Sequence, residues 1–124
     1  MRVIVMNDAV EISKAASDII IKQVNKKHGS VLGFATGASP VETYKRIIEA
    51  YERDEVSLKY ITTFNLDEYV GLDRENVNSY FYFMKDNLFG KTDVDFDRVA
   101  LLEGAYAWEV PSASAIFIKE RVNL

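Results

Sequence analysis

The stretch Val31-Leu32-Gly33-Phe34-Ala35, broken at once by Thr36-Gly37-Ala38-Ser39-Pro40, constrains this chain more than any other. An apolar run without polar alternation is what a parallel strand covered on both faces requires, whereas a strand with one wet face alternates. A parallel neighbour can be reached only by a long crossover, and the next residues supply one. Pro40 suits a helix's first position, where its missing N–H would be unused. Tyr44, Ile47, Ile48 and Tyr51 then recur at helical spacing, which predicts a helix to about residue 53. Ile61-Thr62-Thr63-Phe64-Asn65-Leu66, β-branched and aromatic, reads as the following strand and runs directly into Asp67-Glu68.

The same alternation extends in both directions. Val3-Ile4-Val5-Met6 reads as a first strand, and Asn7-Asp8 offers a cap for a helix from residue 9 to about 27. Val10, Ile12, Ala15, Ala16, Ile19, Ile20 and Val24 form its apolar side and Lys14, Asp18 and Lys22 its polar side, with Gly29 as a left-handed stop. Residues 79–88 carry a dense aromatic set and read as a helix closed by Gly90; at that spacing Phe81, Phe83 and Met84 are core. Val99-Ala100-Leu101-Leu102 is a fourth strand, 104–110 is turn-like, and Pro111-Ser112 opens a short last helix. The fold class expected is α/β: one domain, a doubly wound (Rossmann-like), mostly parallel sheet with right-handed crossovers and helices on both faces. Ligands of such sheets sit beyond the carboxyl ends of the strands.

Composition removes several function classes. The 124 residues hold 48% hydrophobic and 27% charged residues, an ordinary globular balance. A formal charge of −4, without a block of either sign, argues against nucleic acid and membrane surfaces as partners. There is no cysteine, hence no disulfide frame and no thiolate metal site, and no apolar run approaches the ~20 residues of a membrane span. The chain starts without a secretory pattern, so a cytoplasmic protein is expected. No metal constellation is visible: Asp93, Asp95 and Asp97 are followed by Arg98 where a calcium loop needs glycine, and the sole histidine, His28, sits among lysines at a helix end.

Two segments are candidates for chemistry. In the 36–39 turn, small side chains let backbone amides approach a ligand, the helix dipole favours an anion, and the Thr36 and Ser39 hydroxyls add donors. The turn lacks the lysine of a P-loop and the glycine spacing of a dinucleotide fingerprint, which favours a phosphorylated metabolite over a nucleotide. An ordinary turn with Ser39 as helix cap is the plainer alternative. At the end of the 61–66 strand, Asp67 and Glu68 stand at the same rim. A carboxylate there can abstract a proton from a carbon next to a carbonyl, or it can simply cap a helix or pair with a cation. Of the aromatic segment that follows, only Ser79 and Tyr80 are candidates for a place near a ligand.

Taken together, Gly33-Phe34-Ala35-Thr36-Gly37-Ala38-Ser39-Pro40 and Thr63-Phe64-Asn65-Leu66-Asp67-Glu68-Tyr69-Val70-Gly71-Leu72, followed by Asn78-Ser79-Tyr80 and Phe83-Met84, resemble the glucosamine-6-phosphate deaminase family. The likeness spans 1–104, leaving 105–124 as a divergent tail of a single domain 1–124. It implies conversion of glucosamine 6-phosphate and water to fructose 6-phosphate and ammonia through an enolisation, in amino-sugar catabolism. No redox cofactor and no catalytic metal are implied; a homo-oligomer is expected. Asp67 matches the family's enolisation base, while Thr36, Gly37, Ala38 and Ser39 fall in its substrate loop, with Glu68 and Tyr80 as further substrate-side candidates. Ala38 stands where the family often has glycine but accepts other small residues, so a positive φ is not expected there. The family runs to about twice this length; its second half brings a catalytic histidine, further acids and basic phosphate ligands. Two alternatives stand beside this reading. One is a 6-phosphogluconolactonase-like hydrolase, which would place arginine where Tyr69 stands, and the other is a non-catalytic sugar-phosphate-binding or subunit-docking fragment.

Overall fold

A strand of β-branched and aromatic residues needs a ladder partner, and three segments of this chain find one another in register. In the computed structural model, which describes residues 1–69 and 71–102, β1 (Val31–Phe34), β2 (Thr62–Asp67) and β3 (Val99–Leu102) form a parallel sheet in the order β1-β2-β3. Leu66, Asp67, Leu101 and Leu102 are placed there by their backbone alone. The turn expected at 104–110 and the helix expected after Pro111 lie outside the described residues. Phe34 pairs with Asn65, and an irregularity between Asn65 and Asp67 shifts the β2–β3 register so that Asp67 pairs with Leu102. Such a bulge locally bends and twists a strand.

Three helices accompany the sheet: α1 (Ala9–Lys26), α2 (Val41–Glu52) and α3 (Tyr80–Asn87). One helical connection, α2, joins β1 to β2, and another, α3, joins β2 to β3. Two right-handed crossovers running in one direction across a sheet put their helices on one side. The core follows from this: Phe34 and Val99 from the sheet meet Tyr44 and Ile47 of α2, Met84 of α3, and Phe89 from a 3-10 turn at Phe89–Lys91. Phe34 contacts Tyr44 and Phe89 edge-on, with ring centroids 5.6 and 6.1 Å apart. On the opposite face Val31 and Gly33 are exposed. Among the described residues, then, the expected pair of helical layers is represented on one face.

Three expectations are corrected. Residues 3–6 form no strand, and Val3, Ile4 and Val5 are exposed; a β-branched run becomes a strand only by pairing with another, and among the described strands β1 and β3 each pair with β2 alone. The apolar side expected of α1 is buried only in part: Val24 is inside and Ile20 packs against the core, but its amino-terminal half turns serines inward instead. Ser13, Ser17 and Val24 are buried, whereas Val10, Ile12 and Ile19 are more than half exposed. Small side chains let α1 lie close against α2, and the Ser17 hydroxyl is satisfied by donating to the Lys14 carbonyl at 2.8 Å. Finally, Gly29 is not left-handed: α1 stops at an extended Lys27.

Gly90 has a different necessity. A Cβ there would lie 2.6 Å from the Lys85 carbonyl oxygen, a backbone atom that cannot swing aside. Gly90→Ala is expected to destabilise the fold by about 1–3 kcal/mol through overpacking, whereas Gly29→Ala, with nothing within 4 Å, leaves the urea midpoint nearly unchanged.

Candidate functional site

Both candidate segments lie at the carboxyl end of the sheet. The 36–39 turn leaves β1 just after Phe34, and Asp67 closes β2 two residues past the partner of Phe34. Neighbouring parallel strands thus bring the turn and the Asp67 backbone to one edge, the position where ligands of such sheets are held.

Within the turn Gly37 carries φ +98, a left-handed backbone that side chains rarely tolerate. Ala38 has no positive φ, as anticipated. Gly37, Ala38 and Ser39 are exposed and Thr36 is half-buried. Ser39 does not cap the helix. Pro40 is the N-cap of α2 and supplies no side-chain hydrogen bond.

That open end is distinctive when the three helices are compared. At α1 the Asp8 carboxylate accepts from the Glu11 amide at 2.9 Å, and Glu11 in turn accepts from the Asn7 amide at 3.1 Å. At α3 the Ser79 hydroxyl accepts from the Tyr82 amide at 3.0 Å, while the Glu68 carboxylate accepts from Tyr80 and Phe81 amides, each at 2.9 Å. Each helix start presents orphan amides and a partial positive charge. In α1 and α3 side chains of the chain itself bond these amides, whereas at the start of α2 no side-chain cap bond is made and the first-turn carboxylate, Glu42, pairs with Arg46.

Glu68 is therefore placed as a cap. Its side chain is buried, and one oxygen also accepts from its own neighbour's amide, Tyr69, at 2.9 Å. With both oxygens engaged, its observed contacts are those of a residue that fastens the end of β2 to the start of α3. Ser79, buried as well, donates to the Arg74 carbonyl at 2.8 Å and is likewise committed to the backbone. Tyr80 lies against Tyr69, with rings 4.8 Å apart and hydroxyls 3.2 Å apart. Tyr69 is half exposed, so this pair borders solvent beside the Glu68 cap. Of the residues expected near a ligand, the structure joins Glu68, Ser79 and Tyr80 in one capping cluster and puts residues 36–39 on the adjoining strand's end.

Two residues were missed in the sequence. Tyr44 was read only as part of a helical apolar stripe, yet its hydroxyl accepts from the Ala35 amide at 3.0 Å and donates to the Ala35 carbonyl at 2.5 Å. Asn65 donates from Nδ2 to the Phe34 carbonyl at 2.8 Å, while its Oδ1 is buried without a hydrogen-bond partner. A polar residue inside a buried strand was the available signal. Burial pushes the Tyr44 phenol up from 10.0 to about 12, against a smaller opposing effect of its bond to Ala35.

Among the described residues no helix is long and apolar enough to cross a membrane, and no group of histidine, aspartate and glutamate is arranged to hold a metal ion.

Two outcomes follow for stability. Glu68→Gln puts an NH2 group against backbone N–H donors, and is expected to lower unfolding free energy by about 2 kcal/mol, the scale of a lost charged hydrogen bond, read by urea denaturation. For Tyr44, an unfolded phenol ionises near its usual 10.0 and the folded one near 12. Its contribution is complete below the lower value and is lost as pH rises through the upper one. The unfolding midpoint should therefore fall more steeply over that window in the parent chain than in Tyr44→Phe.

Comparison with known proteins gives the same region a context. No protein-family model matches the chain. A glucosamine-6-phosphate deaminase of Cellvibrio japonicus (strain Ueda107) is 46% identical over 95 residues, 77% of this chain and 36% of that protein. One from Clostridium botulinum (strain Langeland) is 44% identical over 104 residues, 84% of this chain and 43% of that protein. One from Mycoplasma mycoides is 42% identical over 95 residues, 77% and 39% respectively. Among solved structures, a monomeric glucosamine-6-phosphate deaminase of the NagB superfamily superposes with a TM-score of 0.84 at 32% identity, covering 99% of this chain and 50% of that one. The chain thus spans 36–43% of the length of these curated relatives.

Proposed function

From the premise that this chain belongs, over most of its length, to the N-terminal part of the glucosamine-6-phosphate deaminase family, we propose that it supplies the anion turn and the enolisation base of a sugar-phosphate deaminase. The reaction is conversion of glucosamine 6-phosphate and water to fructose 6-phosphate and ammonia. The observation that carries the reading is the uncapped start of α2, placed at the same sheet edge as the end of β2. A phosphoryl or hydroxyl oxygen of the sugar takes the place that a capping carboxylate fills at α1 and α3, held by amides of the turn and by the Thr36 and Ser39 hydroxyls.

Asp67 acts as the base. In the open-chain sugar it removes the proton from the second carbon, next to the aldehyde, and delivers it to the first. Water then adds at the second carbon, which bears nitrogen as an imine, and ammonia leaves as the ketone forms. The irregularity between Asn65 and Asp67 supports this role, since bulges commonly set the aim of residues beside active sites. Tyr80 contributes to the rim through its pairing with Tyr69, and Glu68 contributes by holding that rim in place. Histidine, acids and basic phosphate ligands of the family's second half complete the site, so full turnover belongs to the longer proteins of the family. The protein acts in amino-sugar metabolism on a small sugar phosphate; a cytoplasmic, homo-oligomeric enzyme is the setting proposed.

Calorimetry of this chain with fructose 6-phosphate tests the turn, and ammonia release from glucosamine 6-phosphate tests the base. Fructose 6-phosphate should bind, and Gly37→Val, which cannot hold the left-handed backbone, should abolish that binding. Asp67→Asn should leave binding within a few-fold and reduce ammonia release by ~10²–10⁴-fold, the range of a positioned acid–base group. Measurable but equal rates for parent and Asp67→Asn would remove Asp67 from its role. Failure of the parent to bind any sugar phosphate would remove the proposal. Binding without turnover assigns a sugar-phosphate-binding fragment.

A further inference from the structure

The 36–39 turn hangs from the Phe34–Ala35 backbone, and two nearly inaccessible side chains grip that backbone from different elements. From α2, the Tyr44 hydroxyl bonds both the amide and the carbonyl of Ala35. From β2, Asn65 Nδ2 bonds the Phe34 carbonyl. Tyr44 and Asn65 are 2% and 3% exposed, whereas Ala35 itself is exposed. One hydroxyl from α2 thus engages both backbone groups of Ala35. What these bonds add is a fixed conformation.

Asn65 carries a cost that sharpens the point. Its Oδ1 is buried and unpartnered, and so is the Oγ1 of Thr63, two residues earlier on the same face of β2. A buried acceptor without a donor is unfavourable, and an apolar residue of similar shape would relieve it. In stability the orphaned oxygen offsets the bond that Nδ2 makes to the Phe34 carbonyl, so stability alone does not select asparagine at 65. The bond to Phe34 ties the lead-in of the turn to the strand that, two residues later, carries Asp67.

We propose that Tyr44 and Asn65 are positioning residues for the anion turn: Tyr44 fixes its departure from β1 relative to the first amides of α2, and Asn65 fixes it relative to the backbone bearing Asp67. Neither touches substrate. Their effect on affinity rests on the sugar-phosphate reading above; their grip on the backbone does not.

The test uses the whole chain and three variants. Tyr44→Phe keeps the ring and its packing on Phe34 and removes only the hydroxyl. Asn65→Leu removes both the bond and the unpartnered oxygen. Thr63→Val removes an unpartnered oxygen that grips nothing and serves as control. Amide exchange followed by NMR without ligand should show Ala35 exchanging about five- to tenfold faster in Tyr44→Phe, the scale of one net hydrogen bond, and unchanged in Thr63→Val. The thermal midpoint should hold or rise in Thr63→Val and change little in Asn65→Leu, where relief of the orphaned oxygen offsets the bond lost to the Phe34 carbonyl. Affinity for fructose 6-phosphate should nevertheless fall about tenfold in Tyr44→Phe and Asn65→Leu and stay at the parent value in Thr63→Val. Unchanged Ala35 exchange, or unchanged affinity in both variants, would overturn the inference. A drop in the Asn65→Leu midpoint to match its loss of affinity would reduce Asn65 to a structural role and overturn its half. Faster exchange in a chain whose parent form binds no sugar phosphate would uphold the grip and discard the site.

Discussion

Everything at the functional end of this molecule depends on how the backbone of Phe34 and Ala35 is held where β1 ends. The Phe34 ring is packed edge-on between Tyr44 and Phe89; its carbonyl is bonded by Asn65 and the next residue by Tyr44. One dipeptide thereby joins the sheet, the following helix and the core. Together with the β1–β2 ladder, that junction sets the 36–39 turn beside the end of β2, so that two segments far apart in sequence define one place.

The start of α2 differs from those of α1 and α3 in backbone, since Pro40 is αR where Asp8 and Ser79 are extended, and in what answers its charge. Each presents amide donors and the positive end of a dipole. The chain answers two of them with its own carboxylates, Asp8 and Glu68, whereas no side-chain cap bond is made at the start of α2, where Glu42 of the first turn pairs with Arg46. That difference sets the start of α2 apart from the other two. It also divides the labour of two adjacent acids. Glu68 is spent on α3, so of the pair only Asp67 stands as a candidate for proton transfer.

The parts of the fold that were legible in the sequence were those whose signal is local. β1, β2 and β3 were read from apolar, β-branched runs within a residue or two of their observed limits, and α3 from its aromatic density. Asp8 was legible as a cap because a short acceptor before a helical stretch has few other uses. Val3 to Met6 was misread because a strand is a pairing, and the run's composition is silent on whether an edge exists for it. The buried stripe of α1 was misread for a related reason: Ser13 and Ser17 are inside because α2 comes close there, and hydropathy ranks serine below the isoleucine that stays outside. In the candidate site, the turn and the acids could be found, but the use of Glu68 as the cap of α3, where a substrate-side role was expected, could not, and Tyr44 was hidden within an apolar stripe.

By itself, then, the amino-acid sequence determined the alternation of strands and helices, the parallel α/β class, the glycine-bearing turn before Pro40 and the acids after β2. These follow from side-chain volume, branching and backbone φ, which each residue carries wherever it sits. Only the tertiary structure decided which face of α1 is buried, which acid caps a helix, and which side chains reach back to Phe34 and Ala35. Those outcomes rest on distances between residues remote in the chain, as Asn65 is from Phe34, and a hydrogen bond acts only once folding has brought donor and acceptor within about 3 Å.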